Sequence, residues 1–170
     1  MRTFASLVLA FLASHAAQAF DSAEWHGKRE LFAREAERLA AAYSNCAARV
    51  TTPAENVTIP VETYDSGAVK TVVRAGKAQF FLDSGLVWAE DVEVLRLTSR
   101  GKTEARLVAK NCVVDRKARS GWADGATKVT QGAAVFSGRG VFFSAPDSYI
   151  KVFGESVVES TDLKFGGGVL

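Results

Sequence analysis

Residue types that carry most enzyme and metal chemistry are scarce in this sequence. Its 170 residues include only two histidines, two cysteines and one methionine. His15 falls in an N-terminal leader, so a Ser-His-Asp or Cys-His constellation would depend on His26, which the surrounding pattern places on a helix surface. Zinc would need several Cys or His ligands at metal-type spacings, and the sequence lacks these spacings. We therefore predict a protein that is not an enzyme and that holds no metal or cofactor.

An excess of charge of one sign is missing as well. The chain has 21 Lys and Arg residues and 19 Asp and Glu residues, for a formal net charge of +2 at pH 7. Proteins that bind nucleic acids or anionic membrane surfaces usually carry a basic cluster, and this sequence has none. We expect no nucleic-acid partner.

Apolar runs are short, and the one that stands out lies close to the N-terminus. Residues 1–19 contain a basic Arg2, an apolar run of about ten residues, and an A-x-A cleavage signal that ends at Ala19. A helix that spans a bilayer needs about 20 apolar residues, so a cleaved signal peptide is favoured over an uncleaved anchor. The sequence therefore predicts an exported protein that is soluble after cleavage.

Both cysteines, Cys46 and Cys112, follow the leader. In an exported domain, two cysteines favour one disulfide, which would contribute about 4 kcal/mol in the chain-entropy model. The alternative is a pair of small buried thiols that pack as apolar side chains. We expect the disulfide.

The pattern of residues 20–52 is that of an amphipathic helix. Its apolar residues recur at spacings of three, four and seven, which places them on one helical face: Trp25, Phe32, Ala36, Leu39 and Tyr43. The polar side mixes acids with bases, whereas a helix that lies on lipid is usually rich in Lys and Arg. This helix is therefore predicted to pack against the rest of the domain.

Residues 53–165 have the texture of an all-β domain. Val, Thr and aromatic residues dominate, and residues that favour turns recur about every eight to twelve positions. We predict antiparallel strands joined as hairpins. The last five residues, 166–170, read GGGVL and are predicted to form a flexible tail.

Three segments of this domain share one sequence frame. The frame begins at Ala75, Ala109 and Ser137, and its starts are 34 and 28 residues apart. One small-residue position of the frame holds Ala78, Cys112 and Gly140. Two large apolar positions hold Phe80, Val114 and Phe142, and then Trp88, Trp122 and Ile150. The constant inner spacing indicates a repeated hairpin.

The frame gives Cys112 and Trp122 structural rather than reactive roles, because the other repeats place small and large apolar residues there. Stacked repeats would bring each large apolar position into a row inside a sheet folded on itself. Such rows either fill the core or line a groove for an apolar ligand. The predicted lipid-binding residues are Phe80, Trp88, Val114, Trp122, Phe142 and Ile150.

Residues 57–162 resemble the OstA-like repeat of bacterial lipopolysaccharide-export proteins. The resemblance rests on VVRAGKAQFFLDSGLVWAEDVEV, on LVAKNCVVD with GWADG, and on SGRGVFFSAPDSYIKVFGESVVES. It implies an antiparallel β-jelly roll, or β-taco, whose apolar interior carries the acyl chains of lipopolysaccharide across the periplasm. It also implies edge-strand pairing with other β-jelly-roll proteins of lipopolysaccharide export, or with a second copy. The N-terminal helix departs from the pattern of that family.

We expect a non-enzymatic periplasmic lipid carrier or bridge. The main rival is a structural scaffold or adaptor of an envelope complex, with a filled core. A carbohydrate-binding module is a third possibility if Trp88 and Trp122 face outward, since exposed aromatic rings bind sugars.

Overall fold

The computed structural model describes residues 8–10 and 22–160. Most of the predicted signal peptide, residues 1–19, and the predicted tail, residues 166–170, lie outside the described residues. Within the predicted leader, Val8–Ala10 form a short strand, β1. Residues 22–160 begin with a helix, and the regular secondary structure that follows it consists of β-strands.

Helix α1 spans Ser22–Arg49. It belongs to the segment in which the sequence pattern predicts a helix, and no stretch of the described helix is long and apolar enough to cross a membrane. Eight further strands follow: β2 (Ala54–Thr63), β3 (Val69–Phe81), β4 (Leu86–Leu97), β5 (Thr103–Asp115), β6 (Ser120–Gln131), β7 (Ala134–Ser144), β8 (Tyr149–Val152) and β9 (Ser156–Ser160).

The strands form one antiparallel sheet in which sequence neighbours are also spatial neighbours from β2 to β8. Strand β9 pairs with the first part of β7, and β8 pairs with its last part, so the two short strands lie end to end along the same neighbour. The predicted fold class is confirmed: an antiparallel, hairpin-rich β domain is preceded by one helix.

A line of backbone irregularities crosses the sheet near the middle of its long strands. Four residues on this line have positive φ: Asn56, Asp91, Gly125 and Gly140. Asn and Asp tolerate this conformation better than other non-glycine residues, and glycine adopts it without a Cβ clash. The β5–β6 and β6–β7 registers shift on the same line. Bulges of this kind bend a strand, so the aligned bulges divide the sheet into two halves.

The two halves cover one another. Val73, in the first half of β3, and Val114, in the second half of β5, are both fully buried and belong to the same apolar cluster. Helix α1 packs against a different cluster, so only the facing half of the sheet is available to cover these residues. The surface that the two halves enclose is called the inner face below, and the opposite surface is the outer face.

Helix α1 packs on the outer face of only one half of the sheet. Its side chains Phe32, Ala36, Leu39 and Cys46 are buried there. The ring of Phe32 stacks on Tyr149 of β8, with centroids 4.3 Å apart, and lies 5.9 Å from the ring of Phe142 of β7. This helix-covered half contains the ends of the strands joined by the β3–β4, β5–β6 and β7–β8 turns.

Candidate lipid-binding faces of the sheet

The helix-covered half consists of three hairpins with equivalent turns. The last paired residues before the turns are Phe81, Asp115 and Ser144, and the fourth turn residue has positive φ in each case: Gly85, Arg119 and Ser148. The predicted repeat is therefore real. Its third copy, however, lies one residue later than the sequence frame places it, because Ser144 separates the Phe142–Phe143 pair from its turn.

This one-residue offset exchanges two of the six predicted lipid-binding residues between rows. The register places Phe80, Val87, Val114, Gly121, Phe143 and Ile150 side by side, in what we call the inner row. The neighbouring outer row contains Gln79, Trp88, Val113, Trp122, Phe142 and Lys151. Ile150 thus joins Phe80 and Val114, and Phe142 joins Trp88 and Trp122. A one-residue shift moves a side chain to the opposite face of a strand.

The inner row crosses the helix-covered half from β3 to β8. Val87 and Val114 are fully buried, and Phe143 and Ile150 are nearly so. Phe80 is the exception, with 41% of its surface exposed. Phe80 lies beyond Ala78, which is the last β3 residue paired with β2 in this direction. The inner face is therefore uncovered at the Phe80 end of the row. The row is an apolar strip with one open end.

An arginine stands at the open end of the inner row. The guanidinium of Arg116, in the β5–β6 turn, lies 5.9 Å from the centroid of the Phe80 ring. Cations are attracted to the face of an aromatic ring, so this position is favourable for the arginine. It also places a positive charge beside Phe80, which is the one exposed side chain of the described inner row.

The outer row is covered by helix α1. Phe142 is 1% exposed and Trp88 is 8% exposed, and both belong to the cluster that contains Phe32 and Leu39. Trp122 packs at the border of this cluster, where its ring meets Phe153 edge-on at 5.4 Å between centroids. Because Trp88 is buried, it does not present a ring for sugar binding, and a coplanar pair with Trp122 on the surface is not formed.

Two residues of the inner row, Val87 and Phe143, are not among those that the sequence frame predicts. Both lie on the inner face, in the row of Phe80 and Val114. Alignment of the three hairpins at their turns predicts Phe143 as a member of the inner row. Alignment of Phe80–Phe81 with Phe142–Phe143 does not, because the two pairs stand at different distances from their turns.

The predicted disulfide between Cys46 and Cys112 is wrong: both residues are free, buried thiols. Cys112 belongs to the inner-face cluster, whereas Cys46 is on helix α1 in the outer-face cluster. The sheet itself separates the two sulfur atoms. Burial raises the pKa of the Cys112 thiol to about 12, and burial also raises the pKa of Cys46. Both thiols therefore remain protonated and pack as small apolar groups.

A polar cluster fastens the helix to the β5–β6 hairpin. The Arg38 guanidinium donates hydrogen bonds to Glu35 and to Asp115, with N–O distances of 2.6 Å to each carboxylate. Burial acts to raise the pKa of Asp115, but hydrogen bonds from the Ala118 N–H, from Arg38 and from the Lys117 N–H outweigh it, so the pKa is lowered. The hydrogen bond from Arg38 lowers the pKa of Glu35. The cluster therefore contributes to the placement of helix α1 against the β5–β6 hairpin.

A second polar contact joins the two halves of the sheet. Arg96, near the end of β4, lies in the row of Thr71 and Ala105 and faces inward, because Val94 two residues earlier belongs to the inner cluster. Its guanidinium donates hydrogen bonds to the Ser148 hydroxyl, in the β7–β8 turn, and to Glu104. Since Ser148 belongs to the helix-covered half, this contact closes the sheet on itself at the ends opposite the bend.

One open depression, of about 350 Å³, lies on the outer face near the bend. Strands β5, β6 and β7 line it, with Lys110, Lys128, Val108 and Thr127 among its residues. Lys110 is already paired with Glu90 and Asp91 at 3.1 and 2.7 Å. The described residues contain no group of three or more His, Cys, Asp or Glu side chains arranged to hold a metal ion.

No protein-family model matches the chain, and no curated protein matches it with significance.

Proposed function

We propose that this protein is a non-enzymatic carrier of apolar ligands in a bacterial cell envelope, and that it holds lipid acyl chains along its inner face. The resemblance of residues 57–162 to the OstA-like repeat makes lipopolysaccharide the proposed cargo and the periplasm the proposed location. The proposed partners are related β-jelly-roll domains that pair through edge strands.

The observation that carries this proposal is the inner row with its open end. Phe80 exposes 41% of its surface, and the row continues from it through Val87 and Val114 to Ile150 without a charged side chain. An acyl chain that enters at Phe80 would meet only apolar side chains and Gly121. Each methylene transferred from water to such a surface contributes about 0.8 kcal/mol, so a few acyl chains supply enough free energy to bind.

The chemistry at the entrance suits an amphiphile with an anionic headgroup. Arg116 lies beside Phe80, so a phosphate or carboxylate would find a cation where the acyl chain enters. The interior itself is closely filled, since Val87 and Val114 have no exposed surface. Binding therefore requires the two halves of the sheet to separate, with acyl chains replacing contacts between the halves.

The closely filled interior between the two halves of the sheet also favours a second candidate function. A bent sheet whose interior is complete without a ligand serves equally well as a scaffold or adaptor in an envelope complex. The two functions differ in one measurable property, which is whether the protein retains lipid.

The test measures lipid bound to the protein purified from a Gram-negative host, by mass spectrometry of organic extracts. We expect lipid A or another acylated amphiphile in the wild-type extract. Phe80→Glu should reduce the amount severalfold, because it places a carboxylate in the apolar entrance at a half-exposed position that does not endanger the fold.

Leu82→Glu is the matched control. Leu82 is 92% exposed in the adjacent turn and lies outside the inner row, so its variant should retain wild-type amounts of lipid. If the wild-type protein yields no lipid and takes up no apolar dye, the carrier function is wrong and the scaffold function stands. Equal loss of lipid in both variants would remove the inner row from the proposal.

A further inference from the structure

One lateral side of the described sheet ends in β2 and the other in the short strands β8 and β9, and these edges differ in their ability to accept another strand. One edge is β2, which pairs only with β3. It contains Asn56 with positive φ, Pro60 without an N–H, and register shifts on both sides of Glu62. Proline, bulges and irregular register are the features by which natural sheets prevent strand addition at an edge. The β2 edge is therefore protected.

The opposite edge, β8, carries none of these features. Tyr149–Val152 contain no proline, and their pairing with β7 is continuous from Ser144–Tyr149 to Val141–Val152. A strand is in fact seated on this edge: Val8–Ala10 pair antiparallel with β8, with Leu9 opposite Ile150. Strand β8 also forms one end of the inner row, because Ile150 is the last member of that row.

We infer that β8 is an edge of this sheet that is competent for strand addition, and that residues 8–10 of the predicted leader occupy it as an internal guard strand until that leader is removed. In the unprocessed chain, β8 donates and accepts its outward hydrogen bonds within the molecule. Cleavage after Ala19 removes this strand and exposes the edge. The partner that then uses the edge rests on the proposed function, whereas occupancy by the leader does not.

Two consequences follow for assembly. A tethered strand has a local concentration on the order of millimolar or more, so the unprocessed chain resists pairing in trans until that tether is cut. With β2 protected, the processed chain extends only on the side of β8 and β9 and does not continue into a filament, because extension of a sheet in both directions needs a competent edge on each side. The chain would stand at the end of a series of paired sheets.

Hydrogen–deuterium exchange of the full chain tests the guard strand directly. The amides of β8 that point away from β7 should exchange about tenfold or more slowly when residues 8–10 are paired than when they are not. In an antiparallel pair alternate N–H groups point to the neighbour, so one of the two variants Leu9→Pro and Ala10→Pro removes a donor to β8. We expect at least one of them to release β8 exchange to the rate of the processed chain.

His15→Pro is the control, since it introduces proline into the predicted leader further along the chain than residues 8–10 and should leave β8 protected. The amides of β2 should exchange at the same rate in all forms. Equal β8 exchange in the full and processed chains would overturn the guard strand, and faster exchange at β2 than at β8 in the processed chain would overturn the assignment of the competent edge. If β8 is released but the processed chain captures no related domain, the guard strand stands and the proposed partners are wrong.

Discussion

The outer and inner faces of the helix-covered half are both apolar, but different parts of the chain cover them. Helix α1 covers the outer face, where Phe32 meets Phe142 and Tyr149. The facing half of the same sheet covers the inner face, and this cover depends on bulges such as Asp91 and Gly140. One face is sealed by an added element, and the other by the bending of the sheet.

This difference separates the structural from the proposed functional aromatic residues. A helix docked by ring stacking fixes the outer row, so Phe142 and Trp88 serve the fold. Two halves joined at a bend can separate at the opposite ends, where Arg96 contacts Ser148. Access for a ligand is therefore expected on the inner face, beginning at Phe80.

The largest expected effect distinguishes an outer-row from an inner-row phenylalanine. Phe142→Ala should lower the free energy of unfolding by about 3–5 kcal/mol, because Phe142 is 1% exposed and removing its ring leaves a cavity beneath the helix. Phe80→Ala should lower it by less than about 1 kcal/mol, because much of the ring is already in water. Urea denaturation followed by circular dichroism measures both values. Similar losses would mean that the two faces contribute equally to stability.

The second prediction concerns the glycine of the inner row. A Cβ added to Gly121 would lie 2.3 Å from the ring of Phe143, which is buried and has little room to move, and 3.0 Å from the Val113 carbonyl oxygen. Gly121→Ala should therefore cost about 2 kcal/mol through overpacking.

Gly27→Ala should change the stability of the protein in the opposite direction. Gly27 is in helix α1 with open space around it, so alanine there should stabilise the protein by up to about 1 kcal/mol. Thermal unfolding of both variants measures the two effects. A Gly121→Ala variant as stable as the wild type would show that the inner face is loosely packed, and this would favour the open groove over the filled core.

The sequence predicted the helix and the antiparallel hairpins because each depends on local patterns. Apolar spacing places Phe32, Ala36 and Leu39 on one helical face, and these three residues are buried as expected. Turn residues such as Asp83 and Gly85 marked the hairpins correctly. These features need only short-range periodicity and turn chemistry.

Assignment of the two faces needed information that local patterns do not contain. Both Phe142 and Phe143 are apolar and buried, so alternation alone does not show which of them faces inward. The answer depends on one residue, Ser144, between this pair and its turn. The disulfide failed for the same reason, since composition pairs Cys46 with Cys112 but the sheet lies between them.

The last prediction uses these two thiols as reporters of the two faces. Thiol counting on the unreduced, denatured protein should find both cysteines free, and a reducing agent should leave the melting temperature unchanged.

The folded-state pKa of Cys112 is raised to about 12, above an unfolded value of about 8.5. The stability that this thiol provides is therefore complete below about pH 8 and is lost as the pH rises, because the unfolded state ionises first. Between pH 7 and pH 9.5 the loss should be about 1.4 kcal/mol, and Cys112→Ala should abolish that part of the pH dependence. Cys46, which burial affects less, should contribute a smaller slope in the parallel Cys46→Ala variant. A pH dependence that is the same in the wild type and in Cys112→Ala would mean that the inner face admits water at Cys112, and the sealing of the inner face by the bend would have to be abandoned.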